Sequence, residues 1–96
     1  RRNAMTLFEI YREASTKSVA LQYGELQFTY AKYPGLEDIE NPYEILANMA
    51  LVLEPFMFED NPPRDTIEEI LHAFEDFQEA FDVDLEEEIE GLKAYL

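Results

Sequence analysis

The chain has 96 residues, 47% of them apolar and 14% aromatic, which is enough for one hydrophobic core and too little for two. Its 22 acids against 7 lysines and arginines give a net charge of −15, a field that works against non-specific binding to nucleic acid, to anionic membranes and to acidic substrates. Cysteine is absent, which excludes disulfides, thiolate metal sites and cysteine catalysis. Residues 1–96 therefore read as a single domain, with Met5 as a natural start and residues 1–4 as a cloning remnant. Arg1 and Arg2 are not followed by the apolar stretch of a secretory signal, and no apolar run approaches the roughly 18 residues that span a bilayer. A cytoplasmic protein is the expectation.

The charge is uneven. Residues 1–35 hold five cations and three acids, a net of +2, whereas residues 36–96 hold two cations and 19 acids, a net of −17.

Thr6-Leu7-Phe8-Glu9 has the spacing of a capping box and predicts a helix from Leu7 to about Ala14, burying Leu7, Phe8, Ile10 and Tyr11. Residues 18–33 then alternate. Gly24-Glu25 fits a two-residue turn with glycine first, which pairs Tyr23 with Leu26, Leu21 with Phe28 and Val19 with Tyr30 on one face. An antiparallel β-hairpin over about 18–33, with positive φ at Gly24, is the expectation. Asn41-Pro42 opens a central helix over 43–57, with asparagine as cap and proline at the first helical position. From Ile45 to Met57 its only charge is Glu54, which predicts burial on several sides, and Pro55 should end or bend it. Asp65 or Thr66 caps a third helix, whose stripe is Ile67, Ile70, Leu71, Phe74, Phe77 and Phe81. Asp84 caps a fourth, with Glu87 at the capping-box position. Its stripe is Leu85, Ile89, Leu92 and Leu96, and Glu86, Glu87, Glu88 and Glu90 face water. The fold class expected is α+β: one hairpin packed on a body of about four helices.

Thr6-Leu7-Phe8-Glu9, Val19-Ala20-Leu21-Gln22-Tyr23-Gly24 and Thr29-Tyr30-Ala31 together resemble the opening helix and hairpin of acyl-adenylate-forming enzymes. The resemblance implies a helix–hairpin pattern alone. The Ser/Thr/Gly-rich phosphate loop of those enzymes has no counterpart here, so no activity and no site residue carries over.

The acids of the last two helices are the candidate partner-binding residues: Glu68, Glu69, Glu75, Asp76, Glu79, Glu86, Glu87 and Glu90. Glu68, Glu75 and Glu79 lie near one line, about 10.5 and 6 Å apart along a helix axis, a scale comparable with phosphates on a nucleic-acid strand. A small domain needs a net charge of only about 2–8 for solubility, and the excess here destabilises the fold by self-repulsion. The expected function is that of a small acidic protein that inhibits or regulates a target by occupying a basic surface, such as a nucleic-acid-binding face. Its size and charge are similar to those of phage-encoded inhibitors and DNA mimics. The partner is a protein, with no direct contact to nucleic acid or membrane. An immunity or antitoxin protein that neutralises a cognate toxin is the alternative, with an assembly chaperone or adaptor as a third reading.

No catalytic residue, cofactor or metal is expected. His72 stands in a Glu69-x-x-His72 spacing, but a di-iron site needs two such motifs, and the chain has one histidine. Glu68 and Asp76 make a surface ion pair the simpler reading of His72. Asp82 to Glu88 begins like a calcium loop, yet Glu87 stands where glycine is needed and Lys93 where glutamate is needed. Ser15, Thr16 and Ser18 have no histidine near in sequence and no glycine elbow. Tyr23, Tyr30, Tyr33 and Tyr43 read as half-buried around the hairpin.

Overall fold

The computed structural model describes residues 5–27, 41–59 and 61–96. Four α-helices follow one another in them: α1 (Leu7–Gln22), α2 (Pro42–Val52), α3 (Arg64–Phe81) and α4 (Glu86–Lys93), with a 3-10 turn at Glu54–Phe56. No strand occurs among the described residues, so the architecture is a helical globule and the α+β expectation is overturned.

The correction lies in α1. Its start is as expected: the Thr6 hydroxyl accepts from the Glu9 amide at 3.1 Å, and the Thr6 amide donates to Glu9 Oε1 at 2.8 Å. The helix then runs past Ala14 to Gln22, through the first residues of the supposed hairpin. Its buried residues are Leu7, Ile10, Ala14, Ser18 and Leu21, spaced by three and four. The helical stripe thus continues through two small residues that hardly register as apolar. Ser18 is satisfied by donating to the Ser15 carbonyl at 2.7 Å. Gly24 has the expected positive φ, 79°, but as the residue that terminates a helix rather than as a hairpin turn. The Glu25 amide donates to the Ala20 carbonyl at 2.8 Å and the Gly24 amide to the Leu21 carbonyl at 3.3 Å, the paired bonds of a Schellman ending. Phe28 and Tyr30, the expected partners of Leu21 and Val19, lie outside the described residues, as does Tyr33. The hairpin half of the enzyme resemblance falls with the hairpin.

Helix α2 has proline at its first position as expected, but Asn41 makes no side-chain cap; its Oδ1 accepts from the Tyr43 hydroxyl at 3.0 Å. The helix ends at Val52 and the chain tightens into the 3-10 turn that contains Pro55, which has no amide hydrogen to continue the ladder. Burial is one-sided: Leu46, Ala50 and Leu53 face the core, and Ile45, Leu51 and Val52 are exposed.

Helix α3 buries all six residues of its expected stripe. It starts at Arg64, directly after Pro63, and neither Asp65 nor Thr66 caps it. Asp82, with φ 55°, turns the chain out of the helix. The amide of Leu85 donates to Gln78 Oε1 at 2.7 Å and that of Glu86 to Asp84 Oδ1 at 3.0 Å, so α3 supplies half of the start of α4. The capping box expected at Asp84 and Glu87 does not form. Leu85, Ile89 and Leu92 are buried, whereas Leu96 is exposed.

Helix α1 packs on α2 and α4, and α3 packs on the same two. Gly91 lets α4 approach α1: a Cβ there would stand 3.0 Å from Ile10 Cδ1 and 3.3 Å from Met5 Cβ. The Tyr95 hydroxyl closes the same seam by donating to the Met5 carbonyl at 3.2 Å.

Candidate functional site

The four glutamates of α4 do not behave alike, and here the expectation that all face water is corrected. Glu88 stands three residues after Leu85 and four before Leu92, so helical phase places it inside the apolar stripe. Its side chain is 0% exposed and meets Lys17 of α1, which is 23% exposed, with Nζ to Oε2 at 2.8 Å. Lys17 donates to Glu88 Oε1 at 2.9 Å and to the Asp84 carbonyl at 2.6 Å. Glu88 Oε2 has the ammonium close by but no bond of hydrogen-bonding geometry. One ammonium thus ties α1 to both the start and the body of α4. Lys17 and Glu88 are a structural pair that the charge count of α4 conceals.

Glu86, Glu87 and Glu90 are exposed, and so are Glu69, Asp76 and Glu79 of α3, while Glu68 and Glu75 are half-exposed. Glu75, Glu79 and Glu86 line one open depression with Gln78, Asp82 and Asp84, so acids from two helices and their connection share one face. Gln78 crosses it, donating to Glu86 Oε1 at 2.9 Å. Lys93 stands beside Glu90 on the last turn of α4. Its ammonium is held above the ordinary lysine range, first by a hydrogen bond to Glu90 and that group's charge, then by Glu75 and Glu86.

Part of the acidic set is matched locally. Glu68 accepts from Arg64 Nε at 3.1 Å, Glu90 pairs with Lys93 at 3.2 Å, and Glu75 lies 3.3 Å from His72 Nδ1. His72 therefore sits against Glu75, one helical turn on, instead of the expected Glu68 or Asp76. These pairs are exposed, where an ion pair contributes little to stability and leaves the field of the face largely intact. Of the row Glu68, Glu75 and Glu79, the structure groups the last two with α4 and leaves Glu68 on Arg64. No group of three or more metal-binding side chains with the geometry to hold an ion occurs among the described residues.

A second surface was not foreseen. Phe8 of α1 and Phe58, beyond the 3-10 turn, stack with ring centroids 5.7 Å apart and planes at 20°. Phe8 had been expected in the core, yet both rings are exposed, Phe58 by 82%. A groove beside them is lined by Leu7, Phe8, Met57, Phe58, Glu59 and Tyr95. Arg12 lies over the Phe8 ring at 5.8 Å. The sequence signal was present: Met57-Phe58 follows Pro55, beyond the last turn of α2, where no helical phase could bury it. Of the tyrosines expected to be half-buried, Tyr43 is so and Tyr23 is exposed, while Tyr30 and Tyr33 lie outside the described residues.

No helix among the described residues is long and apolar enough to cross a membrane. No protein-family model matches the chain, and neither a curated protein nor a solved structure matches it significantly.

Proposed function

We propose that this is a small cytoplasmic binding protein that inhibits or regulates a target by covering a basic surface of it, such as a nucleic-acid-binding face. The observation that carries the reading is the open face on which Glu75 and Glu79 of α3 stand with Asp82, Asp84 and Glu86, and Glu90 is exposed one turn further along α4. Carboxylates fixed on helices present charge with little ordering cost on binding. Such a face steers a basic partner and suppresses acidic ones, acting mainly through the association rate.

The test begins with capture of a target from lysate at low and at high salt. Association kinetics then compare the wild type with a variant carrying Glu75→Gln, Glu86→Gln and Glu90→Gln. Glutamine keeps size and helix propensity. The association rate should fall in the variant, the difference should close as salt screens the charges, and duplex DNA should compete for the same site on the target. Coincident salt curves would remove the acidic face from the mechanism. Binding that ignores salt would favour the immunity-protein reading, in which a buried aromatic anchor dominates.

A further inference from the structure

We infer that the outward face of α2 pairs with the same face of a second copy of the chain, antiparallel and across a two-fold axis at Asn48. The exposed residues of this helix are Glu44, Ile45, Asn48, Leu51 and Val52. At 3.6 residues per turn they fall within about one third of the circumference, opposite the buried Leu46 and Ala50. Asn48 is the centre of this face: Ile45 and Leu51 stand three residues to either side of it, Glu44 and Val52 four. The core thus covers one side of a helix that is apolar on two.

Charge selects the occupant. Two chains of net −15 repel wherever their acids meet. Helix α2 carries one charge, Glu44, and residues 45–53 carry none, so like-charged copies meet on this face with little repulsion. In the antiparallel arrangement each Glu44 lies about 6 Å along the axis from Asn48, on opposite sides of the two-fold. The pair is then about 12 Å apart, beyond the Debye length of roughly 8 Å at physiological ionic strength. Symmetry selects the same occupant. Ile45 meets the partner's Leu51, and Asn48 meets the partner's Asn48. A carboxamide both donates and accepts, so the two satisfy each other across the axis, and one asparagine in an apolar seam fixes its register. Area sets the strength. A helix about 16 Å long covers well under the roughly 800 Å² per partner of an ordinary interface, so the dimer is weak and transient. The pairing does not rest on the acidic-face reading, and salt separates the two. Screening weakens capture of a basic target and strengthens the pairing of like-charged copies.

The test is sedimentation equilibrium of the full chain, from micromolar to millimolar, at about 0.05 M and about 0.5 M sodium chloride. Mass should rise with concentration towards twice that of the monomer, and the dissociation constant should fall about threefold or more from low to high salt. Leu51→Glu should weaken association about tenfold or more while the melting temperature of the dilute chain holds, because Leu51 is exposed. Asn48→Asp and Asn48→Lys should each stay monomeric alone and form a mixed dimer when combined, since an axis through residue 48 brings the two opposite charges together. A monomer at every concentration and salt overturns the proposal and leaves the face to another protein or to the rest of the chain. Association that survives Leu51→Glu and is lost in Phe58→Ser assigns the contact to the aromatic groove and overturns it as well. Failure of the two Asn48 variants to combine overturns the two-fold at Asn48.

Discussion

Within three consecutive residues, α4 carries glutamates of two kinds. Glu86 and Glu87 stand in water near the helix start, where the backbone dipole favours their charge. Glu88 is enclosed against Lys17. The residue type is the same, and helical phase alone separates them. Neutralising the first kind changes the field outside; neutralising the second unseats a helix. A count of charges treats the two as equal, and so overstates by one the carboxylates that α4 offers to a partner.

The largest effect should come from Lys17→Met, which leaves Glu88 enclosed without its counter-charge. It should lower unfolding free energy by about 3–5 kcal/mol in chemical denaturation. Adding Glu88→Leu should restore most of the loss, because a packed apolar pair replaces a buried ion pair at little cost. If the double variant is no better than the single one, the pair does more than satisfy its own charges.

Gly91→Val sharpens the contrast from the backbone side. Gly91 lies one turn beyond Glu88, and its missing side chain is what brings α4 onto Ile10. Overpacking there should cost about 1–3 kcal/mol, read as a lower denaturation midpoint. An unchanged midpoint would show that Lys17 and Glu88 can pair without that close approach.

Glu9 is a third case, a carboxylate at the surface with a structural task. Its carboxyl is held below the ordinary range, first by the Thr6 amide and then by the Thr6 hydroxyl. A carboxyl lowered on folding stabilises above its unfolded value and loses that contribution as pH falls through its folded value. The melting-temperature gap between wild type and Glu9→Gln should therefore narrow on acidification through the carboxylate range. Thr6→Ala, which removes the other half of the cap, should cost about 1 kcal/mol at neutral pH. A gap independent of pH would detach Glu9 from the cap. The smallest effects belong to Glu86→Gln and Glu87→Gln, each expected within about 0.5 kcal/mol by the same denaturation assay.

The buried stripe of helix α3 was legible, since six large apolar residues recur at spacings of three and four, but its start was not, because Pro63 precedes it where Asp65 or Thr66 was expected as cap. Helix α1 was legible only at its capping box. Beyond Ala14, large apolar residues alternate while the helical stripe runs through Ala14 and Ser18, so the louder pattern pointed to a strand. Gly24 fits both readings, because a hairpin turn and a helix ending both call for positive φ. In α2, an uncharged sequence suggested enclosure, but the other helices cover one side of it. At the candidate site, the exposed acids followed from composition, whereas their convergence depended on how α3 and α4 pack. Glu88 could have been found from its place between Leu85 and Leu92.

The tie from Lys17 to Glu88 also governs when the molecule can become itself. It joins residues 71 positions apart, a loop whose closure costs roughly 4 kcal/mol of chain entropy before any contact rewards it. During synthesis, Leu7 and Ile10 emerge early and wait for α4 to cover them. A growing chain therefore leaves part of α1 uncovered until α4 has left the ribosome, and lesions in α4 should appear as poor yield before they appear as poor binding.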